Sequence, residues 1–525
     1  MIVDSQKEII EALKNPKLYP SKWNVKEVLV EQSHIAILFL AGDYVFKLKR
    51  AVLMTDVDLS TPQKRRLSCV QEMKRSTIYA PNLVLGVRSV RKLKNGRICI
   101  GGKAGEEVDT IIVMHRFQKN EILGNILPNN SFSRFEAMDL AEQISELHSK
   151  AKTFRSKWGS QTVQNIILDT ERVLGCFCPY IFERKKLDAL MKNMLKNVFI
   201  HSRLIDLRSK SGHVKKCHGE LLLSNIAKKE GRYLFFSPIE YNDRSESIDT
   251  LYDLAYLLMD FEMRGMRKLA NILFNHYLAY MNDVEGYPLL PLYQSMRAMS
   301  RAAVCAKKTL VLTGFERKEA VKRARRYFDY ACEFMTLYPP VLIACGGLSG
   351  SGKSRVAREI GGYFNPAPGA VILRDDIVKK QINGCPIHQH FDKAFDTPVI
   401  EKVVYDVLRQ EAKKSLLSGC TVIVDALFYD ETERTKIEEL AKELKVPFVS
   451  LWMDAPFEVR LERVKSRKRN PSDVRTFEDL EKQLSLDTGH VTWPKIITDK
   501  SREETVTTAL ELLKKQCPKC VLNNK

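Results

Sequence analysis

A glycine-rich segment near residue 350 has the residue types needed to bind the phosphates of a nucleotide. Gly347-Leu-Ser-Gly-Ser-Gly-Lys-Ser354 fits the pattern GxxxxGK[ST] completely, follows an apolar run and opens a helical pattern. Glycines let the backbone curl around phosphates and aim N–H groups at them, and the start of a helix adds a positive dipole. Lys353 is expected to bridge the β- and γ-phosphates, and the Ser354 hydroxyl to ligate Mg²⁺. The predicted nucleotide contacts are Gly347, Ser349, Gly350, Ser351, Gly352, Lys353 and Ser354, with ATP and Mg²⁺ as cofactors.

Two later apolar runs end in carboxylates. Val371-Ile-Leu-Arg374 leads into Asp375 and Asp376, and Thr421-Val-Ile-Val leads into Asp425. Carboxyl ends of parallel strands face the ligand crevice, which is where phosphoryl transfer needs such groups. One carboxylate of the pair is expected to cap a helix and the other to accept the proton of the acceptor hydroxyl; the alternative is that both are caps. Asp425 is predicted to hold Mg²⁺ or its water.

A cluster of basic residues lies further along the chain, on a helix and the loop after it. Arg460, Arg463 and Arg467 are spaced so that they share one helical face. Such a face predicts a basic lid over the transferring phosphoryl group, with Arg463 and Arg467 as candidate catalytic residues. A merely solvated face is the alternative. The full cluster is Arg460, Arg463, Lys465, Arg467, Lys468 and Arg469.

The elements that must position these residues follow from hydrophobic periodicity. Residues 26–50 have the pattern of a β-hairpin with a turn at Ala41-Gly-Asp, and a helix is expected from about Thr61, where Pro62 suits the first turn. Further strands are expected at 83–89, 97–100 and 110–114. Helices are expected over 133–210 and 248–336, with a loop and short strands over 217–240.

A proline pair marks a candidate domain boundary. Pro339-Pro340 ends the long helical stretch, because proline lacks the backbone N–H and disfavours helix in the residue before it. From Val341 onwards strands and helices alternate, which predicts a parallel sheet. The predicted domains are therefore 1–338 and 339–525.

Residues 341–500 resemble the predicted-kinase branch of P-loop proteins often labelled AAA-family ATPases, akin to zeta toxins, gluconate kinases and polynucleotide kinases. The pieces that carry this resemblance are GLSGSGKS, LRDDIVKK, VIVDALF with Arg434, and WMDAPFEVRLERVKSR. The resemblance implies that Asp376 is the acceptor-side Asp. Lys379 stands where the family usually has Arg, which keeps the charge but loses the bidentate fork.

The N-terminal part resembles the aminoglycoside-phosphotransferase-like kinase fold, and more closely the first half of bacterial bifunctional phosphotransferase-like/ATP-binding proteins. The segments that carry this resemblance are LAGDYVFKLKR, KRRLSCVQEMKRSTIYAPNLVLGV, CHGELLLSN and IDTLYDLAYLLMDFEMRG. The expected fold class is therefore α/β plus α+β: a protein-kinase-like domain followed by a P-loop kinase domain with a parallel sheet.

This second resemblance gives the N-terminal part its own candidate site. Lys47 on a strand and Glu72 on the next helix are positioned to form the ion pair that holds ATP phosphates. The alternative is that Lys47 is one of several surface cations, beside Lys49 and Arg50. Glu220 in His-Gly-Glu precedes Asn225 by five residues, the spacing of a catalytic base and a metal-binding Asn. Asp249 and Asp253 are expected to brace that loop.

Departures from the pattern weaken this N-terminal site. Glu220 replaces the expected Asp and is one methylene longer, Leu222 replaces a His, and Ser237 replaces the metal-binding Asp. Placement errors of about 1 Å are costly in phosphoryl transfer, and Mg²⁺ prefers carboxylate oxygens. We expect a degenerate centre, in which Glu240 is the remaining candidate to hold the metal.

The totals bound the function class. The chain has 525 residues, is 44% hydrophobic, carries a net charge of +20 and has 12 scattered Cys. No apolar run is long enough for a membrane span. These features predict a cytoplasmic protein with reduced thiols. The charge attracts anions such as ATP or nucleic acid, unless it only solvates helix faces.

The predicted function is ATP-dependent phosphoryl transfer to an unknown small molecule or nucleotide. The alternatives are a regulatory ATPase or pseudokinase module and a nucleic-acid end kinase. Turnover of a phosphorylated product separates the first two, and a steep dependence of nucleic-acid binding on salt identifies the third. The sequence leaves the acceptor and the oligomeric state open.

Overall fold

The chain divides into two compact units. The computed structural model describes residues 6–32, 35–53, 57–127, 132–155, 158–239, 247–387, 389, 397–466, 480–481 and 483–518. The first unit is formed by 1–132, 151–157 and 212–253, and the second by 133–150, 158–211 and 254–525. In the parts of the chain that the structure describes, no helix is both long and apolar enough to span a bilayer.

The first unit contains a six-stranded antiparallel sheet in the order β1-β2-β3-β6-β4-β5. Its strands are β1 (Val28–Gln32), β2 (Ala36–Ala41), β3 (Tyr44–Lys49), β4 (Val84–Lys92), β5 (Ile98–Ile100) and β6 (Glu106–His115). The hairpin between β2 and β3 turns at Gly42, where φ is +60°, so the predicted hairpin and the three further strands are confirmed. Pairing on both sides makes β3 an inner strand, and side chains two apart along it lie on one face.

A helix packed against this sheet carries the Glu that the sequence singled out. α1 (Lys7–Lys14) precedes the sheet, and α2 (Pro62–Tyr79) follows β3 along the chain. Thr61 caps α2, because its side-chain oxygen accepts from the backbone N–H of Lys64 at 3.3 Å, which confirms the predicted start. The buried residues of α2 are Arg65, Cys69, Glu72, Ser76 and Tyr79, a spacing of three and four residues that defines one face.

Short elements complete the first unit. They are α3 (Leu123–Ile126), β7 (Val214–Lys216), β8 (Ile226–Lys229), β9 (Arg232–Phe235) and β10 (Ser247–Asp249). β7 pairs with β10 and β8 with β9, both antiparallel. A 3₁₀ turn at Leu223–Asn225 lies between β7 and β8.

Helices occupy most of two segments, from Arg134 to Lys210 and from Thr250 to Phe334. They are α4 (Arg134–Lys150), α5 (Ser160–Gly175), α6 (Arg184–Ile200), α7 (Ser202–Lys210), α8 (Thr250–Met263), α9 (Arg267–Met281), α10 (Leu290–Lys308) and α11 (Gly314–Phe334). The two helical stretches predicted from the sequence are thus confirmed as runs of several helices, with breaks such as 176–183 in the first and 309–313 in the second.

A five-stranded parallel sheet forms the C-terminal part of the second unit, in the order β12-β13-β11-β14-β15. The strands are β11 (Leu342–Gly346), β12 (Val371–Arg374), β13 (Val422–Asp425), β14 (Phe448–Asp454) and β15 (Lys495–Ile497). The helices are α12 (Lys353–Ile360), α13 (Asp375–Ile382), α14 (Pro398–Leu417), α15 (Glu431–Leu444), α16 (Phe457–Lys465) and α17 (Arg502–Gln516). The predicted fold class, a parallel α/β sheet after an α+β part, is confirmed.

The compact units do not follow the predicted boundary between 338 and 339. α11 ends at Phe334 and β11 begins at Leu342, so the element break lies where the prolines placed it. However, Asn271 in α9 donates to the carbonyl of Ala370 at 2.9 Å, and the Tyr287 hydroxyl donates to that of Gly369 at 2.7 Å. Helices before the prolines therefore belong to the same compact unit as the parallel sheet, and the domain limits 1–338 and 339–525 stay a prediction.

Candidate active site

The glycine-rich loop connects the central strand β11 to α12, as the motif requires. Gly347, Gly350 and Gly352 have φ values of +140°, +84° and +94°, which residues with a Cβ rarely adopt. A Cβ on Gly347 would lie 2.3 Å from the carbonyl oxygen of Met453, so only glycine fits there. Lys353 is the first residue of α12 and Ser354 the second, which places both at a helix start suited to phosphate.

Two arginines of the predicted lid brace this loop from α16. Arg460 Nε donates to the carbonyl of Ser349 at 2.8 Å, and Arg463 Nη1 to that of Gly350 at 3.3 Å. Arg463 also donates to Thr498 through Oγ1, at 3.0 Å, and through its carbonyl. The shared helical face of the two arginines is thus turned to the backbone of the loop. A catalytic role for Arg463 stays a prediction, and Arg467 lies outside the described residues.

Two polar residues missed by the sequence analysis hold the same loop. Gln483 accepts from the backbone N–H of Ser349 at 2.9 Å and donates to its hydroxyl at 3.0 Å. Thr498 Oγ1 lies 2.6 Å from the carbonyl of Ser351. Both residues come from segments more than 130 positions along the chain, so no local pattern announced them.

The carboxylates predicted at the strand ends meet at one edge of the sheet. β12 and β13 run in parallel with Arg374 opposite Asp425, and Asp375 and Asp376 follow at the start of α13. Asp425 is 1% exposed, and neither of its carboxylate oxygens has a hydrogen-bond partner among the described residues. Its nearest cation is Arg374, whose Nε lies 3.6 Å from Oδ2. Burial of a carboxylate without hydrogen bonds costs free energy unless a cation binds to it.

The two neighbouring aspartates, Asp375 and Asp376, have different hydrogen-bond partners. Asp375 accepts from the backbone N–H groups of Asp376 and Leu427, at 2.7 and 3.1 Å. Burial raises the pKa of Asp375 to about 7; Lys353 opposes this rise, and Asp376 and Asp425 add to it. Asp376 accepts from Arg374 Nη2 at 2.5 Å, while its other oxygen, Oδ1, is buried without a hydrogen bond among the described residues. Asp375 thus engages two backbone N–H groups, while Asp376 Oδ1 has no hydrogen bond among the described residues; the roles of cap and proton acceptor stay predictions.

These groups fit a hard divalent cation beside a nucleotide. The orphaned oxygens of Asp425 and the hydroxyl at Ser354 are oxygen donors of the kind that Mg²⁺ prefers. Ser351 contributes a further buried hydroxyl in the loop with no hydrogen-bond partner in the described part of the chain. The donor set thus supports the predicted assignment of Ser354 and Asp425 to Mg²⁺.

The candidate ion pair of the first unit is formed, and it has a second lysine. Lys47 Nζ lies 2.7 Å from Glu72 Oε1, and Lys49 Nζ lies 2.8 Å from Glu72 Oε2. All three residues are buried, which excludes the alternative that Lys47 is a surface cation. Period-two alternation along β3 was the signal that puts Lys49 on the face of Lys47.

Asp253, one of the two residues predicted to brace the candidate catalytic loop, contacts it directly. Asp253 accepts from the backbone N–H groups of His218 and Gly219, at 3.0 and 2.8 Å. Asn225 Nδ2 donates to the carbonyl of Glu220 at 3.0 Å, and Glu220 itself is half-buried. These contacts bring the two candidate residues together, while their roles in transfer and metal binding stay predictions.

The position expected to carry the metal-binding Asp has no charge. Ser237 is exposed, with φ at +54°, a value uncommon outside glycine and asparagine. Glu240, the substitute ligand proposed from the sequence, lies outside the described residues. The expectation of a degenerate centre in this unit stays a prediction.

Comparisons with known proteins give a family match in the C-terminal part and relatives along most of the chain. The family model described as "AAA domain" matches residues 342–486, which confirms the predicted resemblance of that part and supports a nucleotide-binding, kinase-like function. Uncharacterized proteins of Mycobacterium tuberculosis and Mycobacterium bovis are each 24% identical to the chain over 499 residues, spanning 91% of this chain and 93% of theirs.

Solved structures similar to the chain fall into two groups. A choline/ethanolamine kinase family protein from Mesorhizobium loti is 12% identical, with 62% of this chain and 99% of that one covered and a TM-score of 0.37. A gluconokinase from Sinorhizobium meliloti is 21% identical, with 34% and 94% covered and a TM-score of 0.25. An APS kinase from Mycobacterium tuberculosis, solved with AMPPNP and APS, is 19% identical, with 34% and 99% covered and a TM-score of 0.25. Likenesses at these identities and TM-scores say nothing about the acceptor of this chain.

Proposed function

We propose that the protein is an ATP-dependent phosphotransferase whose chemistry takes place at the glycine-rich loop of the second unit. The observation that carries this proposal is the meeting of Lys353, Asp376 and the orphaned buried carboxylate of Asp425 at one edge of the parallel sheet. A loop that only bound nucleotide would need a metal carboxylate, but not a second carboxylate with an open oxygen.

Each group has a part in the transfer. Asp376 Oδ1 accepts the hydrogen bond of an acceptor hydroxyl and takes its proton as the hydroxyl oxygen bonds to the γ-phosphorus. The bond from that phosphorus to its bridging oxygen breaks, and ADP leaves. Lys353 and the amides of the loop stabilise the charge on the phosphates. Arg374 holds the carboxylate of Asp376 in place. Mg²⁺, held by Ser354 and Asp425, would neutralise the charge that develops between the β- and γ-phosphates.

Replacement of Lys353 by Ala tests the assignment. The change removes the only charged side chain of the loop motif, and the loss of such an electrostatic contact costs roughly 10²–10³ in rate. We expect ATP turnover by the full chain to fall by that factor, measured as ADP release in the presence of candidate acceptors. The matched control is Lys442→Ala on the exposed side of α15, which should leave turnover unchanged. Equal turnover in Lys353→Ala and the unaltered chain would show that the activity lies elsewhere.

Two measurements separate this proposal from its rivals. Labelled ATP and a metabolite panel distinguish transfer to an acceptor from ATP hydrolysis by a regulatory module. Binding to nucleic acid at increasing salt tests an end kinase, because release of counterions from each neutralised phosphate gives a steep salt dependence.

A further inference from the structure

Helices α10 and α11 of the second unit form an antiparallel hairpin that turns at residues 309–313. Ser295, near the start of α10, donates through Oγ to the carbonyl of Ala331, near the end of α11, at 2.8 Å. At the other end of the hairpin, the backbone N–H of Leu312 donates to the carbonyl of Lys308 at 3.1 Å. The turn is thus tied to the last turn of α10, and it gives the hairpin a defined tip.

The tip of this hairpin carries large apolar side chains in contact with water. Leu310, Val311 and Phe315 are 74%, 70% and 76% exposed; we call these three residues the apolar tip. A Cβ added at Gly314 would meet no atom of the described residues within 4 Å, so the backbone of the tip is open as well. Single exposed apolar residues are ordinary on a protein surface, whereas an adjoining group of them marks an interaction site.

Exposed cations surround the apolar tip. Residues 307–323 contain six lysines and arginines but only two carboxylates, those of Glu316 and Glu319. Among the residues that the structure describes, none of the six cations forms an ion pair. They lie in the last turn of α10 and the first turns of α11, and they are Lys307, Lys308, Arg317, Lys318, Lys322 and Arg323.

We propose that the tip of the α10–α11 hairpin is a docking surface for a lipid bilayer with anionic headgroups. The apolar tip enters the interfacial layer of the bilayer, and the cations around it lie at the headgroup phosphates. Apolar side chains bordered by four to eight lysines and arginines are the composition of segments that bind in this way. This inference is independent of the proposed transferase function.

Two other kinds of partner explain less of the surface. A nucleic acid would contact the cations but leave the apolar tip in water. A second copy of the chain, or another protein, needs a larger apolar contact. The three side chains together offer at most about 500 Å², whereas each partner of a stable interface buries about 800 Å².

Flotation of the full chain with lipid vesicles tests the proposal. One set of vesicles contains phosphatidylcholine alone, and the other contains phosphatidylcholine and phosphatidylglycerol in equal amounts. The apolar variant combines Leu310→Ser with Phe315→Ser. The charge variant combines Lys307→Gln, Lys308→Gln and Lys318→Gln.

Helix α6 supplies the matched controls, because it contacts the opposite end of the hairpin. Asn193 Nδ2 donates to the carbonyl of Met335, just after α11, at 2.9 Å. Phe199 and Ile200, at the end of α6, are 82% and 57% exposed, and Phe199→Ser with Ile200→Ser is the apolar control. The charge control removes three exposed lysines of the same helix by Lys185→Gln, Lys192→Gln and Lys196→Gln.

We expect the unaltered chain to bind the anionic vesicles, to leave the neutral ones unbound, and to dissociate as salt screens the headgroup charge. The apolar variant should bind about tenfold or more weakly, since removal of a leucine or phenylalanine side chain from water is worth at least that factor. The charge variant should lose about fivefold for each lysine. Both controls should bind like the unaltered chain, and all four variants should keep its melting temperature, because every altered side chain is exposed.

Several results would overturn the proposal. They are no binding to the anionic vesicles, equal binding to both kinds of vesicle, full binding by the apolar or the charge variant, and an equal loss in the controls. Size-exclusion chromatography that shows a dimer of the unaltered chain and a monomer of the apolar variant would instead make the tip an interface between copies. Binding to a duplex oligonucleotide that the charge variant loses, without vesicle binding, would make it a nucleic-acid surface. Lys353→Ala should bind vesicles normally, so this proposal and the transferase proposal fail separately.

Discussion

At the residue scale, adjacent aspartates with the same side chain have different partners. Asp375 is engaged by two backbone N–H groups, whereas Asp376 shares one oxygen with Arg374 and leaves the other open. The difference arises from the start of α13, where successive residues point in directions about 100° apart. Two adjacent carboxylates can therefore have different partners, one held by backbone N–H groups and the other by an arginine.

The change Asp376→Asn should separate nucleotide binding from chemistry. The amide keeps the size of the side chain but cannot accept a proton, so we expect transfer to fall by about 10²–10⁴ while ATP affinity stays nearly constant. Calorimetry with AMP-PNP and a single-turnover assay measure the two quantities. Asp375→Asn is the companion variant and should chiefly lower the melting temperature. Normal transfer by Asp376→Asn would mean that another group positions the acceptor.

A second prediction at this scale concerns acid stability and His276. Its pKa is depressed from 6.5 to about 3 by burial and by Arg374 and Arg358. Between these values the unfolded chain binds a proton that the folded chain does not, so the free energy of unfolding falls as pH falls. In His276→Asn, the loss of unfolding free energy from about pH 7.5 to about pH 5 should be smaller by about 2 kcal/mol. Urea unfolding at both pH values measures it, and an unchanged loss would mean that His276 has the same pKa in the folded and the unfolded chain.

At the element scale, α16 and the glycine-rich loop form one bracing unit. A Cβ atom at Gly350 would lie 2.7 Å from the carbonyl oxygen of Arg460, so only glycine fits at this position. The guanidinium groups of Arg460 and Arg463 then hold loop carbonyls. Loop carbonyls fixed in this way leave the N–H groups of the same peptide units pre-organised for phosphates.

Replacement of Arg463 by Gln should weaken ATP binding through the loop. Gln cannot reach both Gly350 and Thr498, so the loop loses the order that ATP binding otherwise has to supply. We expect AMP-PNP affinity to fall by about tenfold, as for the loss of one or two hydrogen bonds of a charged donor. Lys465→Gln, on the exposed side of the same helix, is the matched control. Equal affinity in both variants would show that Arg463 does not organise the loop.

The sequence predicts elements and motifs well, but not which distant elements meet. Periodicity identified the hairpin around Gly42 and the strand ending in Asp425, because both signals are local. The shared face of Arg460 and Arg463 also followed from helix geometry, yet its target depends on how α16 approaches the loop. Gln483 was missed because it contacts Ser349 across more than 130 residues of chain. Only the packed structure brings such segments together.

At the scale of the whole molecule, the second unit joins helices from before the proline pair to the P-loop sheet. Glu359 in α12 is 1% exposed and is surrounded by Lys268 of α9, Arg502 of α17 and Arg134 of α4, with Arg134 at 3.7 Å. A cut at residue 338 would leave Glu359 buried without two of its three cations, a change that costs several kcal/mol. Tests of either candidate site therefore belong in the full chain.

The last prediction is that the first unit does not transfer phosphate. The full chain can test it once Lys353→Ala has inactivated the glycine-rich loop. In a Lys353→Ala background, any remaining transfer should be unaffected by Lys47→Ala. Glu220 moves its carboxylate by about one bond length, and Ser237 offers no charge for Mg²⁺. Asp is tolerated at the positive φ of residue 237 better than most residues, so the reversion suits the backbone.

Adding Glu220→Asp and Ser237→Asp together should then create transfer that depends on Mg²⁺ and disappears on Lys47→Ala. Each reversion alone should do little, because base and metal ligand act as a unit. The Lys47–Glu72–Lys49 cluster is already formed, so the part of this unit that is predicted to bind phosphates needs no repair. Transfer by the silenced chain that Lys47→Ala abolishes before any reversion would show that the first unit is an active kinase, with its metal held by residues other than Ser237.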